Sequence, residues 1–241
     1  MAKRACVALG YEVKRITPPA KIPDGELYDP LFSPWKGGGE FARYRELARP
    51  YTLVSDDRLY VLYILARNAV RLDGDFLECG VYRGGTARML AAFVAAQPQP
   101  KGKLHLFDTF SGMPETDARV DLHKKGDFAD TSLEEVQRVV GHPELVAFHP
   151  GWVPNTFSEI GDSRVAMAHV DVDIYRSVWD CCEFIYPRLR PGSAMVFDDY
   201  GFPSCPGARK AVDEFFAGRP ESPMVLQTGQ AIVIRDCYAA S

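Results

Sequence analysis

The sequence predicts an α/β fold, in which a mostly parallel sheet carries helices on both faces and one antiparallel strand at its edge. Strands and helices alternate from about residue 51 to the C-terminus, and such alternation builds a parallel sheet. A glycine-rich turn follows the first strand, as in open α/β sheets that bind nucleotides. The last two strands flank Thr228 and Gly229, which are typical of a hairpin turn. Residues 51–241 are therefore expected to form one domain.

The predicted elements follow in a regular order. A first helix begins near Asp56, capped by Ser55 or Asp56, where apolar residues start to recur at helical spacing; Asp73 and Gly74 end it. The predicted strands are residues 75–79, 103–107, 145–149, 165–170 and 193–197, and the helices between them are 84–96, 132–140, 177–189 and 207–216. Residues 224–227 and 231–235 form the closing hairpin.

Residues 1–50 have a different composition. Prolines recur along this stretch, and three glycines stand together at residues 37–39. Both residue types interrupt regular elements. We therefore expect an N-terminal arm or lid that is partly ordered and contains no regular element, with a plain tail as the alternative.

Composition excludes several classes of function. The chain is 46% hydrophobic and 25% charged, which is typical of a folded protein, and its net charge of -4 argues against a nucleic-acid partner. No apolar run approaches the roughly 18 residues that span a bilayer, and the N-terminus does not resemble a secretory signal. We therefore expect a cytoplasmic protein. The six cysteines match no zinc or redox spacing, so they are interpreted as reduced, mostly buried thiols.

The turn after the first predicted strand indicates a cofactor. Residues 78–86 read ECGVYRGGT, and the glycines allow a ligand to approach the backbone closely. The spacing differs from the dinucleotide GxGxxG because Tyr82 replaces the second glycine, and no GK[ST] of a P-loop follows. Backbone N–H groups at the helix start can bind the carboxylate of S-adenosylmethionine (SAM). A tight turn without a ligand is the alternative.

An acidic residue ends the second predicted strand. Asp108 lies one βαβ unit after Glu78, where a carboxylate can accept hydrogen bonds from both ribose hydroxyls of a nucleotide. The order of the glycine turn and this aspartate supports a SAM site. The alternative is that Asp108 caps a turn.

Four aspartates follow the fourth and fifth predicted strands. The side chains of Asp171, Asp198 and Asp199 should converge, because the carboxyl ends of neighbouring parallel strands lie side by side. Close carboxylates repel, and a hard divalent cation removes that cost. Oxygen-only ligands favour Mg²⁺ over Zn²⁺. The alternative is neutralisation by arginines, for which Arg176 and Arg209 are the candidates.

A methyl transfer to a hydroxyl would use both a cation and a base. The cation can orient the acceptor hydroxyl and lower its pKa. Asp173 lies just beyond the strand and is the candidate general base, with a metal-binding or supporting role as the alternative. His169 is expected to be a supporting or core residue, and His123 and His149 are weaker candidates, with His149 at the rim of the crevice.

Six segments in order resemble the macrocin O-methyltransferase family of bacterial natural-product enzymes. They read YTLV at 51–54, LECGVYRGG at 77–85, FDTFSGMPETD at 107–117, GDFADTSLEEV at 126–136, VDVDIYRSVWD at 170–180 and FDDYGFPSCPGARKAVDEFF at 197–216. The resemblance implies a seven-stranded, Rossmann-like class I SAM methyltransferase fold and a homo-oligomer, either a dimer or a tetramer. It also implies a set of site residues, namely SAM at Thr52, Glu78, Gly80, Tyr82, Asp108 and Ser111, Mg²⁺ at Asp171, Asp198 and Asp199, and Asp173 as base.

The sequence departs from this family at one point of the site. The family usually has DGD where this chain has Asp171, Val172 and Asp173. The acceptor is expected to be a small molecule with a sugar or phenolic hydroxyl, including an aminocoumarin-type phenol. Trp35, Tyr51, Trp152 and Tyr200 are candidates for its pocket, as is the loop at residues 116–125. A dinucleotide-dependent oxidoreductase, a noncatalytic SAM or metal-binding module and a metal-independent enzyme are the alternatives.

Overall fold

The structure is a computed structural model that describes residues 33–237. Residues 1–32, most of the predicted N-terminal arm, lie outside the described residues. The chain from Pro34 onward forms one unit. Its helices and strands in chain order are α1 (Glu40–Ala48), α2 (Asp56–Ala69), β1 (Asp75–Cys79), α3 (Gly85–Ala95), β2 (Leu104–Asp108), α4 (Leu133–Val140), β3 (Val146–Pro150), β4 (Val165–Val170), α5 (Tyr175–Ile185), β5 (Leu189–Phe197), α6 (Pro206–Phe216), β6 (Met224–Val225) and β7 (Ala231–Ile234).

The strands form one seven-stranded sheet in the order β3-β2-β1-β4-β5-β7-β6. Strands β1 to β5 are parallel, whereas β7 runs antiparallel to both β5 and β6. This confirms the predicted mostly parallel sheet with antiparallel pairing at one edge. The strand order reverses between β1 and β4, and open α/β sheets bind ligands outside the carboxyl ends of the strands at such a point.

Each face of the sheet has its own hydrophobic core. Successive strand residues point to opposite faces, so Phe76 packs with α2 and α3 on one face while Leu77 packs with α5 and α6 on the other. Val196 and Phe197 divide in the same way. All residues of β4 are buried because helices cover both faces. The described cysteines are free, and all but Cys237 are buried.

The expectation that residues 1–50 contain no regular element was wrong. Helix α1 begins directly after Gly39 and buries Phe41, Tyr44 and Ala48 in the core. The Tyr44 ring lies edge-on to Phe93 of α3, with 5.5 Å between the ring centroids. The apolar spacing of α1 is helical, but the glycines and prolines before it obscured the pattern.

The predicted boundary between α5 and β5 was also wrong. A helix was predicted to residue 189, whereas α5 ends at Ile185 and β5 begins at Leu189. Pro187 lies between them in a short 3-10 turn, since proline cannot continue an α-helix. Ser132 caps α4, since its hydroxyl oxygen accepts a hydrogen bond from the Glu135 N–H.

Among the described residues, no helix combines the length and the apolar character that crossing a membrane requires.

Candidate active site

A cavity of about 290 Å³ lies at the carboxyl ends of the parallel strands, where the strand order reverses. Its lining residues include three groups. They are the segment before α2 with Arg58 (Tyr51, Thr52, Leu53, Val54 and Arg58), the turn after β1 (Gly80, Val81 and Tyr82) and the acidic strand ends (Asp108, Asp171, Asp173 and Asp199). The cavity therefore joins the predicted SAM turn to the predicted metal site.

The turn after β1 passes very close to the turn after β4. Gly80 has a φ of 86°, and a Cβ atom there would lie 1.8 Å from the carbonyl oxygen of Asp171. Only glycine tolerates both conditions. Gly84, the residue before α3, is left-handed as well, and so is Tyr82, whose hydroxyl donates to Asp130 at 2.9 Å. The close approach brings the two halves of the site together.

The Gly80→Ala substitution is expected to destabilise the fold and weaken SAM binding together. The positive φ alone costs of order 1–3 kcal/mol, and the contact with the Asp171 carbonyl adds to it because backbone must move. Gly126→Ala is the matched control, since Gly126 has a φ of 87° but open space around its Cβ position. Denaturant unfolding and calorimetric SAM titration measure the two effects. Equal losses of stability and of SAM affinity in the two variants would contradict the close approach of the turn after β1 to the turn after β4.

Asp108 holds the turn after β1 in place. One carboxylate oxygen accepts the N–H groups of Val81 and Tyr82, at 2.6 and 3.0 Å, and the other accepts the N–H of Phe110 at 2.7 Å. A carboxylate offers about four acceptor sites, and the Thr109 hydroxyl also lies 3.5 Å from the second oxygen, so these contacts occupy most of them. The structure thus gives Asp108 a turn-holding role, and its predicted bonds to both ribose hydroxyls stay a prediction.

A buried polar chain runs beneath the cavity from Glu78 to Asp198. Glu78 and His169 are register partners on β1 and β4, and His169 Nδ1 lies 2.9 Å from Glu78 Oε1. His169 Nε2 lies 3.5 Å from Asp198 Oδ1. Glu78 Oε2 is buried without a hydrogen-bond partner in the described residues, although Glu78 lines the cavity. A ligand that carries an N–H donor would satisfy this oxygen.

The other predicted SAM residues differ in their positions. Thr52 lines the cavity, and its hydroxyl oxygen lies 3.3 Å from that of Thr86 at the start of α3. Ser111 is exposed, and its hydroxyl donates to the carbonyl of Thr109 at 3.3 Å. Thr109 and Gly112 line the cavity, whereas Ser111 does not. A role for Ser111 in SAM binding stays a prediction.

Asp171 and Asp198 come together as the sheet topology predicted, whereas Asp199 is not part of that group of donor atoms among the described residues. Carboxylate oxygens of Asp171 and Asp198 and a ring nitrogen of His169 all lie within 4.8 Å of one another. The Asp199 carboxylate accepts the N–H of Asp173 at 2.9 Å. Asp171, Asp173 and Asp199 line the cavity, while Asp198 is fully buried behind it.

Burial and mutual repulsion act on three of these carboxylates. Burial and the charge of Asp198 raise the pKa of Asp171 well above its usual range. Burial and the charges of Asp173 and Asp171 do the same to the pKa of Asp199, and burial raises the pKa of Asp173. Within residues 33–237, no lysine or arginine lies within ion-pair distance of Asp171 or Asp199. This carboxylate group would therefore be stabilised by a cation.

Arg58, and not the arginines expected from the sequence, neutralises Asp198. The Arg58 guanidinium, on the first turn of α2, pairs with Asp198, which also accepts a hydrogen bond from Gln230 at 2.8 Å. Burial raises the pKa of Asp198, but His169 and Arg58 outweigh burial and lower it. Arg176 instead pairs with Asp180, and Arg209 donates to the Tyr200 carbonyl. The prediction that Arg176 or Arg209 neutralises the aspartates was therefore wrong.

Asp173 occupies a tight turn beyond β4. Its φ is 59°, and the Ile174 N–H donates to the Val172 carbonyl across it at 2.6 Å. A non-glycine residue in this region costs of order 1–3 kcal/mol, and such strain clusters at functional sites. The residue with a left-handed backbone in this turn is Asp173, and not Val172. Valine is therefore tolerated at position 172, where the family usually has glycine. Val172 also lines the cavity.

His123 is a site residue that the sequence ranked too low. Its Nε2 lies 3.6 Å from Asp173 Oδ1, and it lines the cavity together with Cys205. Its only sequence signal is Asp127, four residues later, whose carboxylate contacts the Nδ1 at 3.2 Å. His149, expected at the rim, is instead buried against His105, with 2.9 Å between ring nitrogens.

Two of the four aromatic candidates for the acceptor pocket line the cavity. These are Tyr51 and Trp152. Trp35 packs on the core beside Tyr60, and the Tyr200 hydroxyl donates to Asp213 at 2.7 Å. From the predicted acceptor loop at residues 116–125, His123 reaches the cavity.

Comparisons with known proteins show which family this chain is similar to. The profile of the family described as Macrocin-O-methyltransferase (TylF) matches residues 45–225. The Mycinamicin III 3''-O-methyltransferase of Micromonospora griseorubida is 33% identical over 180 residues, which cover 68% of this chain and 70% of that protein. The 8-demethyl-8-(2,3-dimethoxy-alpha-L-rhamnosyl)-tetracenomycin-C 4'-O-methyltransferase of Streptomyces olivaceus is 32% identical, covering 59% of this chain and 58% of that protein. The solved O-methyltransferase NovP superposes with a TM-score of 0.70 at 25% identity, covering 77% of this chain and 82% of that one.

Proposed function

The chain belongs to the macrocin O-methyltransferase family, and from this premise we propose that it methylates a sugar hydroxyl of a bacterial secondary metabolite, with Mg²⁺ at the reacting oxygen. The chain is a SAM-dependent O-methyltransferase, which excludes the oxidoreductase alternative. One observation carries the proposal: a single cavity is lined by the turn after β1 and by Asp171, Asp173 and Asp199. Donor and acceptor would meet there.

The turn after β1 would hold the donor. When bound, SAM supplies a methyl group on a sulfonium sulfur that an incoming oxygen can displace. Glu78 Oε2, buried and unpartnered among the described residues, matches the ammonium at the donor's amino-acid end. Backbone N–H groups at the start of α3 can take the carboxylate. Gly80 keeps the backbone open for this approach.

Asp171, Asp198 and Asp199 would hold the cation. Their oxygen donors suit Mg²⁺, and the raised pKa values of Asp171 and Asp199 reflect repulsion that a cation would remove. When bound, Mg²⁺ would orient the acceptor hydroxyl and lower its pKa. Arg58 balances the negative charge of Asp198, so the other carboxylate charges are the ones that the cation would balance.

Asp173 would take the proton of the acceptor hydroxyl. The strained turn projects its carboxylate into the cavity beside Asp199, which fixes the turn through the Asp173 N–H. Burial raises the pKa of Asp173 toward the working pH, which suits a general base. The proton leaves the acceptor oxygen for Asp173 as the oxygen–carbon bond forms and the sulfur–carbon bond breaks.

A sugar hydroxyl is favoured over a phenol by one observation. The name of the Streptomyces olivaceus relative describes a rhamnosyl substrate. The cavity has aromatic walls at Tyr51, Phe128 and Trp152, on which the apolar face of a sugar ring can pack. A phenolic or aminocoumarin-type hydroxyl is the second candidate, and a noncatalytic SAM or metal-binding module is the third.

Methyl transfer from radiolabelled SAM to a panel of glycosides and phenols tests the proposal. We expect a glycoside carrying a deoxyhexose to be methylated, chelation with EDTA to abolish turnover, and added Mg²⁺ to restore it. Preference for phenols would favour the second candidate. SAM binding without turnover on any acceptor would favour the third. Turnover that survives EDTA would contradict the role of the metal.

A cytoplasmic location and a homo-oligomeric state stay predictions. The division into an arm at residues 1–50 and a catalytic domain at 51–241 stays a prediction too, although α1 packs into the core of the unit that begins at Pro34.

A further inference from the structure

A second group of metal-ligating side chains lies on the cavity wall, apart from the carboxylates assigned to Mg²⁺. It consists of His123, Asp173 and Cys205, whose donor atoms lie within 4.8 Å of one another. The three residues come from the loop before α4, the turn after β4 and the residue that precedes α6. All three line the cavity.

The separations of these donor atoms match those around a tetrahedral zinc ion. Cys205 Sγ lies 3.4 Å from Asp173 Oδ1 and 3.7 Å from His123 Nε2, and the latter two atoms are 3.6 Å apart. Zinc–ligand bonds of about 2.0–2.3 Å at tetrahedral angles place pairs of donors roughly 3.3–3.6 Å apart. A cation therefore fits between the three atoms with shifts of about 0.2 Å.

The histidine of this group is already oriented as a ligand. Its Nδ1 faces the Asp127 carboxylate at 3.2 Å, and Asp127 is itself held by the Lys124 N–H at 2.9 Å. A proton on Nδ1 leaves the Nε2 lone pair free toward Cys205 and Asp173. Carboxylates behind metal-bound histidines fix the ring in this way.

We propose that His123, Asp173 and Cys205 form a binding site for a transition-metal cation of the Zn²⁺ class, whose fourth position opens to the cavity. Thiolate and imidazole ligands select such a cation, whereas the carboxylates proposed for Mg²⁺, those of Asp171, Asp198 and Asp199, offer oxygen donors, which favour Mg²⁺. Linear spacing did not reveal the site because its three ligands are brought together by three separate loops.

Two consequences follow from occupancy. A metal of this class binds cysteine as the thiolate, so binding should release about one proton from the Cys205 thiol. Asp173 would also become a metal ligand and could no longer take the acceptor proton, so Zn²⁺ would inhibit methyl transfer. The second consequence rests on the proposed function, whereas the binding site does not.

Titration of the metal-free, full-length protein with Co²⁺ tests the site. Co²⁺ replaces Zn²⁺ and gives a thiolate-to-cobalt charge-transfer band in the near ultraviolet. We expect this band in the unmodified protein and in Cys237→Ser, the matched control at an exposed cysteine, and its loss in Cys205→Ser. His123→Ala, which keeps the thiol, should weaken Co²⁺ binding strongly. Asp127→Asn should weaken it by about 10–100-fold while keeping the band.

Competition with Mg²⁺ separates the two sites. A large excess of Mg²⁺ should leave the charge-transfer band unchanged. The proposal is overturned by absence of the band in the unmodified protein, by its persistence in Cys205→Ser, or by its displacement by Mg²⁺. None of these measurements uses methyl transfer, so failure of this site and failure of the proposed function are distinguishable.

Discussion

The Asp171→Asn variant is expected to lose methyl transfer and yet fold more stably without metal. Removing one ligand that positions the cation at the developing oxyanion should lower kcat/KM by about 10²–10³-fold. Burial and the charge of Asp198 disfavour the ionised form of Asp171 in the fold. A carboxyl group whose pKa is raised by folding destabilises the fold at pH values above its usual pKa. The neutral amide removes this cost, so the midpoint temperature of unfolding at neutral pH should rise.

Thermal unfolding with and without Mg²⁺ measures the metal contribution directly. In the unmodified protein, Mg²⁺ at about 100 times its Kd should add about 2.7 kcal/mol to the free energy of unfolding. In Asp171→Asn the same concentration should add much less. Asp162→Asn, at an exposed aspartate away from the cavity, is the control and should behave as the unmodified protein. An undiminished Mg²⁺ shift in Asp171→Asn would remove Asp171 from the metal site.

The Asp173→Asn variant is expected to bind SAM and Mg²⁺ normally but turn over very slowly. An amide cannot accept the acceptor proton, and loss of a general base typically costs about 10²–10⁴-fold in kcat. The Asp173 N–H still donates to Asp199, so the turn beyond β4 should be kept. Calorimetric titration of SAM and the Mg²⁺ shift in unfolding check binding, and single-turnover kinetics check the chemical step.

The contrast between the two variants is the informative result. Asp171→Asn should raise the Mg²⁺ concentration that gives half-maximal rate, whereas Asp173→Asn should leave that concentration unchanged. A kcat of Asp173→Asn within tenfold of the unmodified protein would assign the proton transfer to another group, and the neighbouring His123 would then be the candidate.

Much of the fold was predictable because its signals are local. The alternation of strands and helices and the glycine turn at residues 78–86 each depend on a few consecutive residues. The convergence of Asp171 with Asp198 was predictable as well, since both follow parallel strands that were expected to be neighbours. Errors arose where local signals conflicted, as at the glycines before α1 and at Pro187 after α5.

The partners of the site residues were less predictable because they come from distant segments. Arg58 and Asp198 are 140 residues apart, and nothing near Arg58 indicates a buried carboxylate. The pairing of Glu78 with His169 depends on the register between β1 and β4, which periodicity does not specify. His123 reaches Asp173 through an irregular loop, whose path depends on packing.

The sequence by itself determined the family, the sheet, the glycine turn and the presence of four aspartates at strand ends, because these depend on local patterns and on the order of elements along the chain. Only the tertiary structure decided which charges balance one another. It assigned Arg58 and His169 to Asp198, left Asp171 and Asp199 facing the cavity, and joined His123, Asp173 and Cys205. Electrostatic contacts depend on distance in space and on burial, and both are set when remote loops pack together.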